Sequence, residues 1–182
     1  MCEDQQSQVF IVRALRHHGV QRWEIKTAPL PSDATGGAGE QFVRERYLDQ
    51  VRAVRDQNRR GPVSLVVHID ADPKLTVAER HAELAEQLRA AHEKPRQPAE
   101  PIAELVPKRN IETWIHALDE TLSAGLDRPL DEERAYPKLD YPSDGAAAAE
   151  SFARHARKNT APEVARTIPS LADGLAELRR AL

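Results

Sequence analysis

Asp70 and Asp72, in the run Ile69-Asp70-Ala71-Asp72-Pro73, are the residues whose types and spacing best suit chemistry. On an extended backbone, residues two apart face the same side, so the two carboxylates would raise each other's pKa unless a cation lay between them. An all-oxygen pair suits Mg2+ or Mn2+. A plainer role is also open to them: the acids could simply begin a loop and cap the helix that follows.

The element that must carry these acids is the apolar run Val63-Ser64-Leu65-Val66-Val67-His68-Ile69, bounded by Gly61-Pro62 and Pro73. Such a β-branched stretch predicts a strand buried on both faces of a largely parallel sheet, and ligands gather where such strands end. Upstream, Phe10, Ile11, Ala14 and Leu15 recur at helical spacing and Gly19 stops them, predicting a helix over 6–18. Trp23-Glu24-Ile25-Lys26-Thr27 alternates as a strand would, and the Gly- and Pro-rich stretch 29–39 reads as a loop. A helix with an inner stripe of Val43, Tyr47, Val51 and Val54 is expected from about residue 40. Thr76 and Glu79 form a capping box for the next helix, with Val77, His81, Leu84, Ala85 and Leu88 as its stripe. Ile102 to Val106 reads as another strand. Asn110 should then cap a helix that turns Ile111, Trp114, Ile115 and Leu118 inward.

The alternation of helix and strand predicts an α/β layered domain over 1–122. Residues 123–182 carry no strand-like run and read as a helical extension packed on that domain. Its last helix is expected to have Ser170 as cap and a stripe of Leu171, Leu175, Leu178 and Leu182.

Composition sets outer limits. In 182 residues, 26 Lys and Arg stand against 29 Asp and Glu, a net charge of −3 that gives no global sign of nucleic-acid affinity. Aromatic residues make up 4% of the chain, which weighs against a base-stacking platform of several exposed rings. The single cysteine, Cys2, excludes an intramolecular disulfide framework, and no stretch resembles a signal peptide or membrane span, so a cytoplasmic protein without membrane attachment is expected. No Walker phosphate loop, paired-cysteine zinc motif or Gly-x-Ser-x-Gly elbow is present.

Glu3, one sheet unit before Asp70-Ala71-Asp72, and the segment Pro107-Lys108-Arg109-Asn110-Ile111-Glu112-Thr113-Trp114-Ile115 complete a pattern that resembles the Toprim fold. That family is named for topoisomerases and primases, and the likeness is to its small, defence-associated OLD and RloB-like nucleases. The resemblance implies a Rossmann-like, mostly parallel sheet flanked by helices, with Glu3, Asp70 and Asp72 as metal ligands for Mg2+ or Mn2+. Glu3 would serve as general acid/base or as a further ligand, and Glu112 as a peripheral ligand or water-orienting group. Lys108, Arg109 and Lys138 are candidates for phosphate contact, and His116, one turn beyond Glu112, for proton donation, although a surface role for it is simpler.

The implied activity is metal-dependent hydrolysis of phosphodiester bonds in DNA or RNA, within an anti-phage defence system. The alternative is a catalytically degenerate scaffold or sensor that partners an ATPase. A phosphohydrolase of the haloacid dehalogenase type is disfavoured, because its aspartates are expected near the chain start. Two positions depart from the Toprim pattern: Asp4 stands where a glycine usually follows the glutamate, and only Met1 and Cys2 are left to form the first strand.

Overall fold

The computed structural model describes residues 1–30, 39–71, 73–139 and 145–182 of the chain. Asp72 and most of the Gly-rich loop therefore lie outside the described residues. The described residues form an α/β fold dominated by seven α-helices around a small parallel sheet. Strand β1 (Leu65–His68) pairs with β2 (Ile102–Leu105), Leu65 opposite Ile102 and His68 opposite Leu105. The ladder runs on past the strands: the Ile69 amide donates to the Leu105 carbonyl and the Ala71 amide to that of Pro107. On the other edge of β1, the Met1 amine donates to Val66 O at 2.7 Å and the His68 amide donates to Met1 O at 2.8 Å. These two bonds extend the parallel pattern by one residue, Met1.

Both faces of the sheet are covered, as the apolar run predicts. Helices α2 (Gly39–Asn58) and α3 (Val77–Ala90) bury Val43, Tyr47, Val51, Leu84 and Leu88 against Leu65, Val67, Ile69, Ile102 and Val106. On the opposite face α1 (Gln5–His18), α4 (Ile111–Leu118), α6 (Ala146–Lys158) and α7 (Pro169–Ala181) share one core. There Phe152 lies 5.5 Å from Phe10 and is stacked at 5.7 Å on Trp114. The short α5 (Glu120–Ala124) is capped by Asp119. The helices beyond residue 122 thus complete the core that begins at α1. Gly174 of α7 lies against the Trp114 indole so closely that a Cβ would overlap the ring, which sets the approach of α7 to α4.

Four expectations are corrected. Residues 23–27 form no strand: Arg22–Glu24 is a 3-10 turn, fixed by the Gln21 amide donating to Glu24 Oε2 at 2.7 Å. Alternation alone fails there, because among the described residues no neighbouring strand offers a ladder and the local side-chain bond wins. Ser170 is not a cap. Ile168 occupies the cap position with Pro169 in the first turn, while buried Ser170 accepts from the Trp114 indole N–H at 2.9 Å. His116 is buried rather than on the surface, its ring 5.2 Å from that of Tyr136. Leu182 is exposed, so the closing leucine stripe ends at Leu178.

Candidate functional site

Three elements converge at the carboxyl end of β1. The Met1 stub carries Glu3 beside the strand, the Asp4 side chain accepts from the Ser7 amide at 2.9 Å to cap α1, and β1 leads through Ile69 to Asp70. Glu3 Oε1 accepts from the Asp70 amide at 2.8 Å, which joins residues 67 positions apart. Gly39, at the start of α2, lies so near the Glu3 backbone that a Cβ would collide with it. The glycine therefore has a packing role at the end of the stretch that the sequence marks only as a loop.

Burial, then the neighbouring Asp70 carboxylate, push the Glu3 pKa up to about 7. His68 is fully buried beside them. Its Nε2 lies 3.3 Å from Asp70 Oδ1, but the pair is not aligned as a hydrogen bond, and neither atom has another partner. Burial works against the charged imidazole, but the carboxylates of Asp70, Glu3 and Asp4 outweigh it and raise its pKa. Burial also disfavours ionisation of Asp4, yet the hydrogen bonds from Lys138, at 2.6 Å, and from Ser7 hold its carboxyl below the ordinary range.

Glu112, in the first turn of α4, is buried, and its pKa is raised by burial and then by Asp4 and Asp70. With the Gln6 amide turned to satisfy both its neighbours, it donates to Glu112 Oε1 at 2.9 Å. Glu112 thus belongs to the same electrostatic neighbourhood as Glu3 and Asp70. Lys138 is exposed and ion-paired with Asp4. Lys108 is buried, its ammonium donating to Leu75 O at 2.9 Å and lying 3.3 Å from Glu133. Arg109 is half-buried, and its Nε has no hydrogen-bond partner.

One contributor was missed from the sequence. Arg80 of α3 is only 1% exposed, and its Nε donates to Asp70 O at 2.9 Å while its guanidinium also pairs with Glu40 and Glu83. It fixes the backbone that presents Asp70. No sequence signal marks it, because an arginine after a capping box ordinarily faces solvent. His68 did carry a signal, being a titratable residue inside an otherwise apolar strand.

Among the described residues, no three His, Cys, Asp or Glu side chains are placed to hold a metal ion. The acids that do meet, Glu3 and Asp70, offer the hard oxygen donors that magnesium and manganese prefer, and Asp70 Oδ1 is a buried acceptor without a hydrogen-bond partner. On that donor chemistry the residues fit a hard divalent cation. No family model, curated protein or solved structure matches the chain. Among the described residues no helix is long and apolar enough to cross a membrane.

Proposed function

We propose that the carboxyl end of β1 is a divalent-cation site serving phosphodiester hydrolysis in DNA or RNA, in the manner of a Toprim-like nuclease. The observation that supports this reading is the meeting of Glu3 with Asp70 across 67 residues, beside a buried Asp70 oxygen that lacks a hydrogen-bond partner. Glu3 and Asp70 would hold the ion, with Asp72, two residues on, as the further ligand that the resemblance implies. Bound there, Mg2+ or Mn2+ would supply positive charge to the non-bridging phosphate oxygens and lower the pKa of a water. Glu3, with its pKa near 7, is suited to accept and return a proton at neutral pH. Arg109 and Lys138 would contact phosphate, whereas the Lys108 ammonium already serves Leu75 and Glu133. Glu112, through Gln6, would orient the α1 terminus that carries Asp4.

Calorimetric titration of manganese into the wild type and a folded Asp70→Ala variant tests the site. Binding by the wild type that is lost in the variant is the expected result, followed by manganese-dependent cleavage of DNA or RNA by the wild type alone. A folded wild type that binds no manganese would overturn the reading and leave a scaffold or sensor module, with an ATPase among its candidate partners.

A further inference from the structure

At the far end of α1, roughly 21 Å from the acids at a rise of 1.5 Å per residue, the surface has the opposite character. Trp23 is 80% exposed, and among the described residues the only other exposed large apolar side chain is Leu182. The ring sits on a braced turn. The Gln21 amide donates to Glu24 Oε2, the Glu24 amide donates back to Gln21 O, and Gln8 Nε2 ties the following segment to α1 through Ala28 O at 3.1 Å. Val20 and Ile25, on either side of the ring, pack against the core. Trp23 is therefore held out into solvent by a fixed scaffold.

Basic residues flank it along the chain. Arg22 precedes it on the turn, Arg16 and His17 occupy the exposed last turn of α1, and Lys26 follows. His18, Glu24, Ile25 and Lys26 line one open groove of about 560 Å³. Arg157 is exposed in the last turn of α6, the helix packed on α1, and burial and then its charge lower the His18 pKa. Glu24 is the acid in the turn, and its carboxylate is engaged by the Gln21 amide.

We propose that this turn and the adjoining ends of α1 and α6 form a docking surface for single-stranded nucleic acid, with one unpaired base stacked on Trp23 and the flanking phosphates on Arg16, Arg22, Lys26 and Arg157. A base needs only one aromatic face to stack on, so the low aromatic content of the chain is no obstacle, and a basic rim is the electrostatic complement of a phosphate backbone. A membrane surface is a poorer match, because the apolar face of α1 is buried in the core and Trp23 stands alone. The inference shares the substrate class of the proposed nuclease but requires no metal.

The test is a titration of wild type with labelled oligo(dT) in chelator at low salt, read by anisotropy and by tryptophan emission. Trp114 is buried, so quenching reports on Trp23. The expected result is quenching on binding, with about a ten-fold or greater loss of affinity in Trp23→Ala, near-retention in Trp23→Phe and a shallower salt dependence in Arg22→Ala. The Asp70→Ala variant should bind the oligonucleotide as the wild type does, which separates this surface from the cation site. Equal affinity in Trp23→Ala, no binding by the wild type, or quenching by anionic phosphatidylserine vesicles but not by oligo(dT) would each overturn the proposal.

Discussion

The two strands of the sheet each carry a carboxylate cluster, and the fold treats them in opposite ways. Glu104 on β2 is almost fully buried but completely partnered. It accepts from the Tyr47 hydroxyl, lies 2.7 Å from His81 Nδ1 and 3.3 Å from Arg96 Nε, and its own amide donates to Glu177. Burial opposes its ionisation, but His81, Arg96 and Tyr47 outweigh it and lower its pKa. At the end of β1, the Glu3 pKa is raised to about 7, and Asp70 Oδ1 and both His68 ring nitrogens are buried without hydrogen-bond partners. A finished carboxylate network ties α2, α3, β2 and α7 together. An unfinished one is the pattern expected where a ligand completes the set.

The largest expected effect is in the finished cluster. Glu104→Gln should destabilise the fold by about 1–3 kcal/mol in chemical denaturation, because half-buried Arg96 loses one of its two carboxylate partners and the Tyr47 and His81 side chains lose a charged acceptor. Asp70→Asn, measured alongside without metal, should cost far less, since it also removes repulsion from Glu3. Equal losses would erase the distinction between the two clusters.

The two regions should also show opposite pH slopes. Between the ordinary carboxylate value of about 4.3 and about 7, folded Glu3 holds more protons than the unfolded chain, so its effect is a stability that falls as pH rises. His68 works in the same direction, its contribution present below the ordinary imidazole pKa and lost as pH rises through its raised folded value. Glu104 contributes fully above the ordinary carboxylate value, and that contribution is lost as pH falls through its lowered one. Unfolding curves in chelator should therefore decline less from about pH 5 to about pH 7 in Glu3→Gln, and lose the acid-side decline in Glu104→Gln. An unchanged neutral slope in Glu3→Gln would show that Glu3 does not sit in the environment described.

The smallest effect belongs to the exposed Lys138–Asp4 pair. Lys138→Ala should change stability by about 0–1 kcal/mol, and less at high salt, by thermal melts across ionic strength.

Much of the frame was legible in the residues. The Val43, Tyr47, Val51 and Val54 stripe, the capping box at Thr76 and Glu79 and the strand before Asp70 all express local periodicity or local hydrogen bonding, and the structure shows each. What was not legible depends on long-range partners. Alternation at 23–27 carries no information about whether a strand lies beside it, and the single paired residue Met1 is too short for any period. Arg80 is buried because Asp70 and Ala71 present carbonyls to it, which nothing near residue 80 reveals. Glu104 could have been singled out, as a glutamate within an apolar strand expected to be buried on both faces. At the candidate site, Asp70, Glu3 and Glu112 were nominated by type and resemblance, whereas their common environment required the fold.

The packing of Phe10 on Phe152 has a consequence for how the molecule comes into being on the ribosome. Helix α1 is synthesised well before α6, the helix it rests on. Until then, Phe10, Ile11 and Leu15 must wait in solvent, available to chaperones and to aggregation. The acidic tip of α1 waits with them, so the pairing of Glu3 with Asp70 becomes secure only once α6 has been made, and a nascent chain that stops short of α6 should carry the acids without the site.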